Sequence, residues 1–136
     1  MSNNPKVVHV DDDPDIREIA RIALELVGGL EVVQFVSGQD AIEGAREAAP
    51  DILLLDVMMP GMNGEQTLAA LRAYPEFAET PAIFMTAKAQ NSDVDKLIEA
   101  GAVAVIVKPF DPMTLAGELL GIWTRLKAGQ AAQSTA

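Results

Sequence analysis

Five short apolar segments recur along the chain, at Lys6–Val10, Glu31–Val36, Ile52–Leu55, Ala82–Met85 and Val103–Val107. Several are rich in valine or isoleucine, which favours strands. The third, "ILLL", does not alternate polar with apolar residues, so it predicts a strand buried on both faces, as in a parallel sheet. Between the segments lie amphipathic stretches with helix start and stop signals. Asp13-Pro14 predicts an N-cap followed by proline at the first helical position, opening a helix that stops at Gly28-Gly29. Ser37-Gly38 precedes a helix through Ala48, ended by Pro50, and Gly64 leads into one that Pro75 ends near Tyr74. Asn91-Ser92 opens a fourth, closed by Gly101, and Asp111-Pro112 repeats the cap-and-proline signal for the last. Strand and helix alternating five times predict an α/β fold, a (βα)5 three-layer sandwich around a five-stranded parallel sheet.

This arrangement makes the strand ends the places to look for chemistry, because open α/β sheets hold ligands at the carboxyl edge. The first segment runs out in Asp11-Asp12, the third in Asp56, the fourth in Thr86 and the fifth in Lys108-Pro109. Three carboxylates gathered in an apolar-walled site repel one another, so they call for a cation. Oxygen ligands without His or Cys suit a hard ion; Mg²⁺ fits best, with Mn²⁺ the nearest alternative. A lysine and a hydroxyl beside such a site suit an incoming phosphoryl group, with Asp56 as the nucleophile that forms an aspartyl-phosphate.

Composition narrows the partners. The chain has 136 residues, one domain's worth, with 49% hydrophobic residues and a net charge of −10. That charge disfavours nucleic acid and anionic membrane surfaces as direct partners. Zero cysteines remove disulfides and thiolate metal sites, and no apolar run approaches a membrane span, so a cytoplasmic protein is expected. The start, "MSNNPK", lacks the apolar core of a signal peptide. After Leu126 the residues are small and polar, which predicts a frayed tail.

"HVDDDPDIR", "LLLDVMMPGMNG", "FMTA" and "VIVKPF" together resemble the receiver domains of two-component response regulators, over residues 5–124, leaving 125–136 as a short flexible tail. The resemblance implies a flavodoxin-like sheet in the order 2-1-3-4-5. It also implies that Asp56 is the phospho-acceptor, that Asp11, Asp12 and Asp56 hold Mg²⁺, and that the Met58 backbone carbonyl is a further ligand. Thr86 becomes the switch hydroxyl and Lys108 the partner of the phosphoryl group, with a cis bond to Pro109. Met58, Ala87, Lys88, Val105 and Pro109 occupy positions that modulate the site. The implied function is a single-domain response regulator that takes a phosphoryl group from a histidine kinase or phosphotransfer protein. It would signal to a protein partner, with the last helix as a surface for homodimer formation. It is not an enzyme on external substrates, although a phosphate carrier or sink in a phosphorelay is an alternative.

Other readings of the same residues compete less well. An Asp-nucleophile phosphatase needs a second acid two residues after the nucleophile, where this chain has Met58. An EF-hand over Asp11, Asp13 and Asp15 fails because Ile16 replaces the turn glycine and Ile22 the bidentate glutamate. Asp13 reads as a helix cap. His9, the only histidine, alternates with Val8 and Val10 and reads as a packed strand residue. Val105 departs from the aromatic residue receivers commonly carry three positions before the lysine. Met58 and Lys88 lack the groups that orient an attacking water, so a slow-decaying phosphoryl group is expected. In the last helix Leu115, Leu119, Ile122 and Leu126 form a core stripe. Met113, Ala116, Leu120 and Trp123 form a second stripe that either meets a partner or folds over the sheet's edge.

Overall fold

A computed structural model describes residues 4–88 and 90–134. Its five strands are β1 (Lys6–Val10), β2 (Glu31–Phe35), β3 (Ile52–Asp56), β4 (Ala82–Thr86) and β5 (Ala104–Val107). All pair in parallel, in the order β2-β1-β3-β4-β5. The helices are α1 (Pro14–Arg21), α2 (Gly38–Ala48), α3 (Gly64–Arg72), α4 (Asn91–Glu99) and α5 (Leu115–Ser134). Period-two alternation divides the sheet between two cores. Val8, Val10, Leu53, Leu55 and Phe84 pack against α2, α3 and α4. Val7, Ile52, Leu54, Ile83, Met85 and Ile106 pack against α1 and α5. The "ILLL" run is buried throughout because β3 lies at the centre of the sheet with helices on both faces.

Differences from the sequence expectation fall at element ends. β3 and β4 each extend by one residue, because Asp56 pairs with Met85 and Thr86 with Val107 in the ladder. Conversely, Val36 and Val103 lie outside β2 and β5. The first helix widens into a π-helical continuation over Ile22–Val27, closed by Gly28 N–H donating to Ala23 O. That end presses on α5, since a Cβ on Gly28 would stand 2.2 Å from the Ala116 Cβ. Asp111-Pro112 is not the first turn of α5. The Asp111 carboxylate accepts from Met113 N and its carbonyl from Thr114 N and Leu115 N, so the segment is a turn and the helix starts at Leu115. Where the sequence suggests a frayed tail, α5 continues through residue 134, in a segment rich in alanine and glutamine, which are good helix formers. Residues 135 and 136 of that tail lie outside the described residues.

The second stripe of α5 is largely core. Ala116 is buried, and Leu120 and Trp123 pack against the α1/α5 side of the sheet. Trp123 borders a groove with Pro50, Asp51 and Pro81, at the amino ends of β3 and β4, and Lys127 Nζ stands 4.4 Å over its ring. It folds over the sheet's edge. Only Met113 of that stripe is strongly exposed, at 71%.

Candidate functional site

The carboxyl edge gathers the residues the strand ends point to. Asp11 directly follows β1, while Asp56 and Thr86 are the last residues of β3 and β4; all three are buried. Asp12 is exposed at the rim. One carboxylate oxygen from each of Asp11, Asp12 and Asp56 lies within 4.8 Å of the others. Lys108, just after β5, reaches across and donates from Nζ to Asp11 Oδ2 at 2.9 Å and to Asp56 Oδ1 at 3.0 Å. Its peptide bond to Pro109 is cis.

The electrostatics follow from this crowding. Burial pushes the Asp56 carboxyl above its usual value, and Asp11 and Asp12 add repulsion, while the hydrogen bond from Lys108 works against both. Burial favours a neutral Lys108, but its hydrogen bonds to Asp11 and Asp56 prevail and raise its pKa. One ammonium therefore serves two buried carboxylates, with a third acid at the rim. Oxygen donors, negative excess and an open rim suit a hard divalent cation.

Local structure holds each group in place. Asp13 caps α1 by accepting from Asp15 N and Ile16 N, while its own N–H donates to Asp11 Oδ1 at 3.0 Å. Arg17 Nη1 donates to the Asp11 carbonyl at 2.8 Å. After Asp56 the chain turns through Gly61 at φ +73° and enters α3 through an Asn63/Gln66 capping box. Gly64 is forced by contact, because a Cβ there would stand 2.3 Å from the Asp56 carbonyl oxygen. Thr86 Oγ1 accepts from Lys88 N at 3.0 Å.

The modulating positions divide into two sets. Met58 and Lys88 are exposed and, with Thr86, line a cleft of about 210 Å³ that also includes Glu65, Asp93 and Lys96. Ala87 is exposed beside them. Val105 instead packs half-buried against the core on the α2–α4 side. Gln34 was not singled out by sequence reasoning. It lies opposite His9 in the β1–β2 register, contacts His9 Nδ1 at 3.1 Å and donates to Arg17 O at 2.7 Å. The signal available was a polar residue inside the strand "EVVQF", between Val33 and Phe35.

Comparison with known proteins agrees with this architecture. Residues 7–119 match the family model described as response regulator receiver domain. The DNA-binding response regulator MtrA of Mycolicibacterium smegmatis is 37% identical over 110 residues, covering 81% of this chain and 46% of that protein. The transcriptional regulatory protein CseB of Streptomyces coelicolor is 35% identical over 125 residues, covering 92% of this chain and 52% of that protein. The chain thus spans about half the length of the curated relatives it matches. The solved chemotaxis response regulator CheY4 of Vibrio cholerae superposes with a TM-score of 0.81 at 31% identity, covering 88% of this chain and 99% of that one. The family match runs from β1 into α5 and so takes in every strand end that builds the acidic edge: the chain belongs to the response regulator receiver domain family of two-component signalling.

Proposed function

We propose that this chain is phosphorylated on Asp56 and passes that state to a protein partner. The observation that carries the reading is the pairing of a buried Asp56 with Lys108 at 3.0 Å beside two further carboxylates at one strand edge. An Asp56 carboxylate oxygen forms a bond to phosphorus while the bond from phosphorus to the donor breaks, and the electron pair leaves with the donor. That donor is the phosphohistidine of a sensor kinase or phosphotransfer protein, or a small acyl phosphate. Asp11, Asp12, Asp56 and the Met58 carbonyl would hold Mg²⁺, which supplies positive charge for the phosphoryl oxygens. Lys108 turns its ammonium to those oxygens, and Thr86 donates its hydroxyl proton to one of them.

Output by protein contact fits the charge of −10, which opposes nucleic acid, and a cytoplasmic setting fits kinase-borne phosphate. Among the described residues no helix is long and apolar enough to cross a membrane. Turnover of external phosphoesters is disfavoured, since the position two after Asp56 holds an exposed thioether that cannot act as a general acid.

Acetyl phosphate with Mg²⁺ tests the reading. Mass spectrometry is expected to find one phosphoryl adduct on the parent chain and none on Asp56→Asn. Stoichiometric labelling of that variant at another residue would remove Asp56 from the role.

A further inference from the structure

His9 is fully buried beside the site, and the reactions above make no use of it. Its protonation pattern is set by its neighbours. Arg17 O accepts from Gln34 Nε2 at 2.7 Å, and a carbonyl can only accept, so the amide nitrogen faces this side. The same nitrogen stands 3.1 Å from His9 Nδ1, so Nδ1 must accept and the ring proton sits on Nε2. The Nε2 donor makes no hydrogen bond among the described residues, a costly state for a buried polar group. It faces Asp11 Oδ2 at 4.0 Å.

Asp11 Oδ2 depends on a partner with another commitment. Lys108 Nζ donates to it at 2.9 Å while also holding Asp56 Oδ1. A phosphoryl group on Asp56 offers that ammonium competing anionic oxygens. As Lys108 turns to them, a fully buried carboxylate oxygen loses its donor. We propose that His9 is the reserve donor for this step: its Nε2–H closes on Asp11 Oδ2 when Lys108 is drawn to the phosphoryl group. Gln34, tied to Arg17 O, holds the ring in the required tautomer, and Arg17 in turn holds the Asp11 carbonyl. A movement of about 1 Å brings the pair to ordinary hydrogen-bond length. His9 is thus a positioning residue for the acceptor's neighbour, and the proposal rests on Asp56 being the acceptor.

Because the chain has one histidine, its imidazole signals are unambiguous. The experiment follows the ¹⁵N and Nε2–H resonances of His9 in the full chain with EDTA, with Mg²⁺ alone, and with Mg²⁺ plus beryllofluoride as the phosphoryl mimic. The Nε2–H tautomer is expected throughout. On adding beryllofluoride, but not Mg²⁺ alone, its proton moves downfield and exchanges more slowly with water. In Asp56→Asn neither change occurs. His9→Phe, which keeps an aromatic ring but removes the donor, is expected to bind beryllofluoride roughly tenfold more weakly at saturating Mg²⁺. Binding of beryllofluoride by the parent with an unmoved Nε2–H, or parent-like affinity in a folded His9→Phe, overturns the reserve-donor role alone. A parent chain that neither binds beryllofluoride nor accepts phosphate from acetyl phosphate overturns the Asp56 reading as well.

Discussion

At the scale of single residues, the site is a balance between one ammonium and three acids. Asp56 is held partly toward its neutral form by burial and by Asp11 and Asp12. For a carboxyl whose folded pKa is raised, stability is fully present below the ordinary carboxylate value and is lost as pH rises through the raised one. Asp56→Asn stays neutral at every pH. In EDTA it is therefore expected to be more stable than the parent at pH 7, with the difference vanishing towards pH 4. Urea melts at the two pH values check this; a variant less stable at pH 7 would count against it. A second consequence concerns the lifetime of the adduct. Met58 and Lys88 flank the cleft beside Thr86, one apolar and one cationic, and neither accepts a proton from water. The double change Met58→Asn, Lys88→Glu is expected to speed loss of the phosphoryl label several-fold, since an amide and a carboxylate can align the attacking water. Decay of purified adduct gives the measurement, and an unchanged half-life would rule the effect out.

At the scale of elements, the loop from β3 to α3 carries the tightest constraint. A Cβ at residue 64 collides with backbone at 2.3 Å, whereas a Cβ at residue 61 meets nothing within 4 Å and suffers only from its φ of +73°. Gly64→Ala is thus expected to cost roughly 1–3 kcal/mol and to slow phosphorylation by shifting the Asp56 carbonyl. Gly61→Ala should cost about 1 kcal/mol and label at nearly the parent rate. Chemical denaturation and labelling rates on the pair distinguish a steric from a conformational cost. The helix opposite behaves otherwise. α5 uses much of its apolar surface on the sheet, and Trp123 sits at the amino ends of β3 and β4, away from the edge that holds Asp56. Gly117 and Gly121 remain open, bordering a groove with Ala104, Val105 and Ile106. Self-association through the last helix, if it accompanies phosphorylation, has that groove available to it.

At the scale of the whole molecule, a metal held at the crowded edge would be coupled to stability. A ligand that binds only the folded state adds stability by mass action, about 2.7 kcal/mol at a hundred times its dissociation constant. Mg²⁺ is expected to raise the melting temperature of the parent by several degrees, and Asp12→Ala to remove most of that rise. Calorimetry with and without the metal provides the check; equal shifts in both proteins would take Asp12 out of the site.

How far these features were legible depends on what kind of information each required. The five strands, the two-sided burial of β3 and the five residues at the carboxyl edge followed from local pattern: a run of apolar residues that stops at a polar residue places that residue at a strand end. Asp13 as a cap was equally local, since the side chain serves amides two and three residues away. Element ends were less legible, because Asp56 and Thr86 join their strands through ladder partners distant in sequence, and Asp111 turns the chain where its pattern also permits a helix. The fate of the second stripe on α5 was undecidable from periodicity, which gives the face of a helix but not the width of the sheet beneath it. The contacts that join Arg17, Gln34 and His9 were invisible for the same reason. They exist only because parallel register sets His9 opposite Gln34 and packing buries His9 fully. The sequence by itself determined which groups reach the edge, since spacing and alternation are local properties of the chain. Which atom faces which, and which donor is left without a partner, only the tertiary structure decided, because register and burial arise from contacts between residues far apart along it.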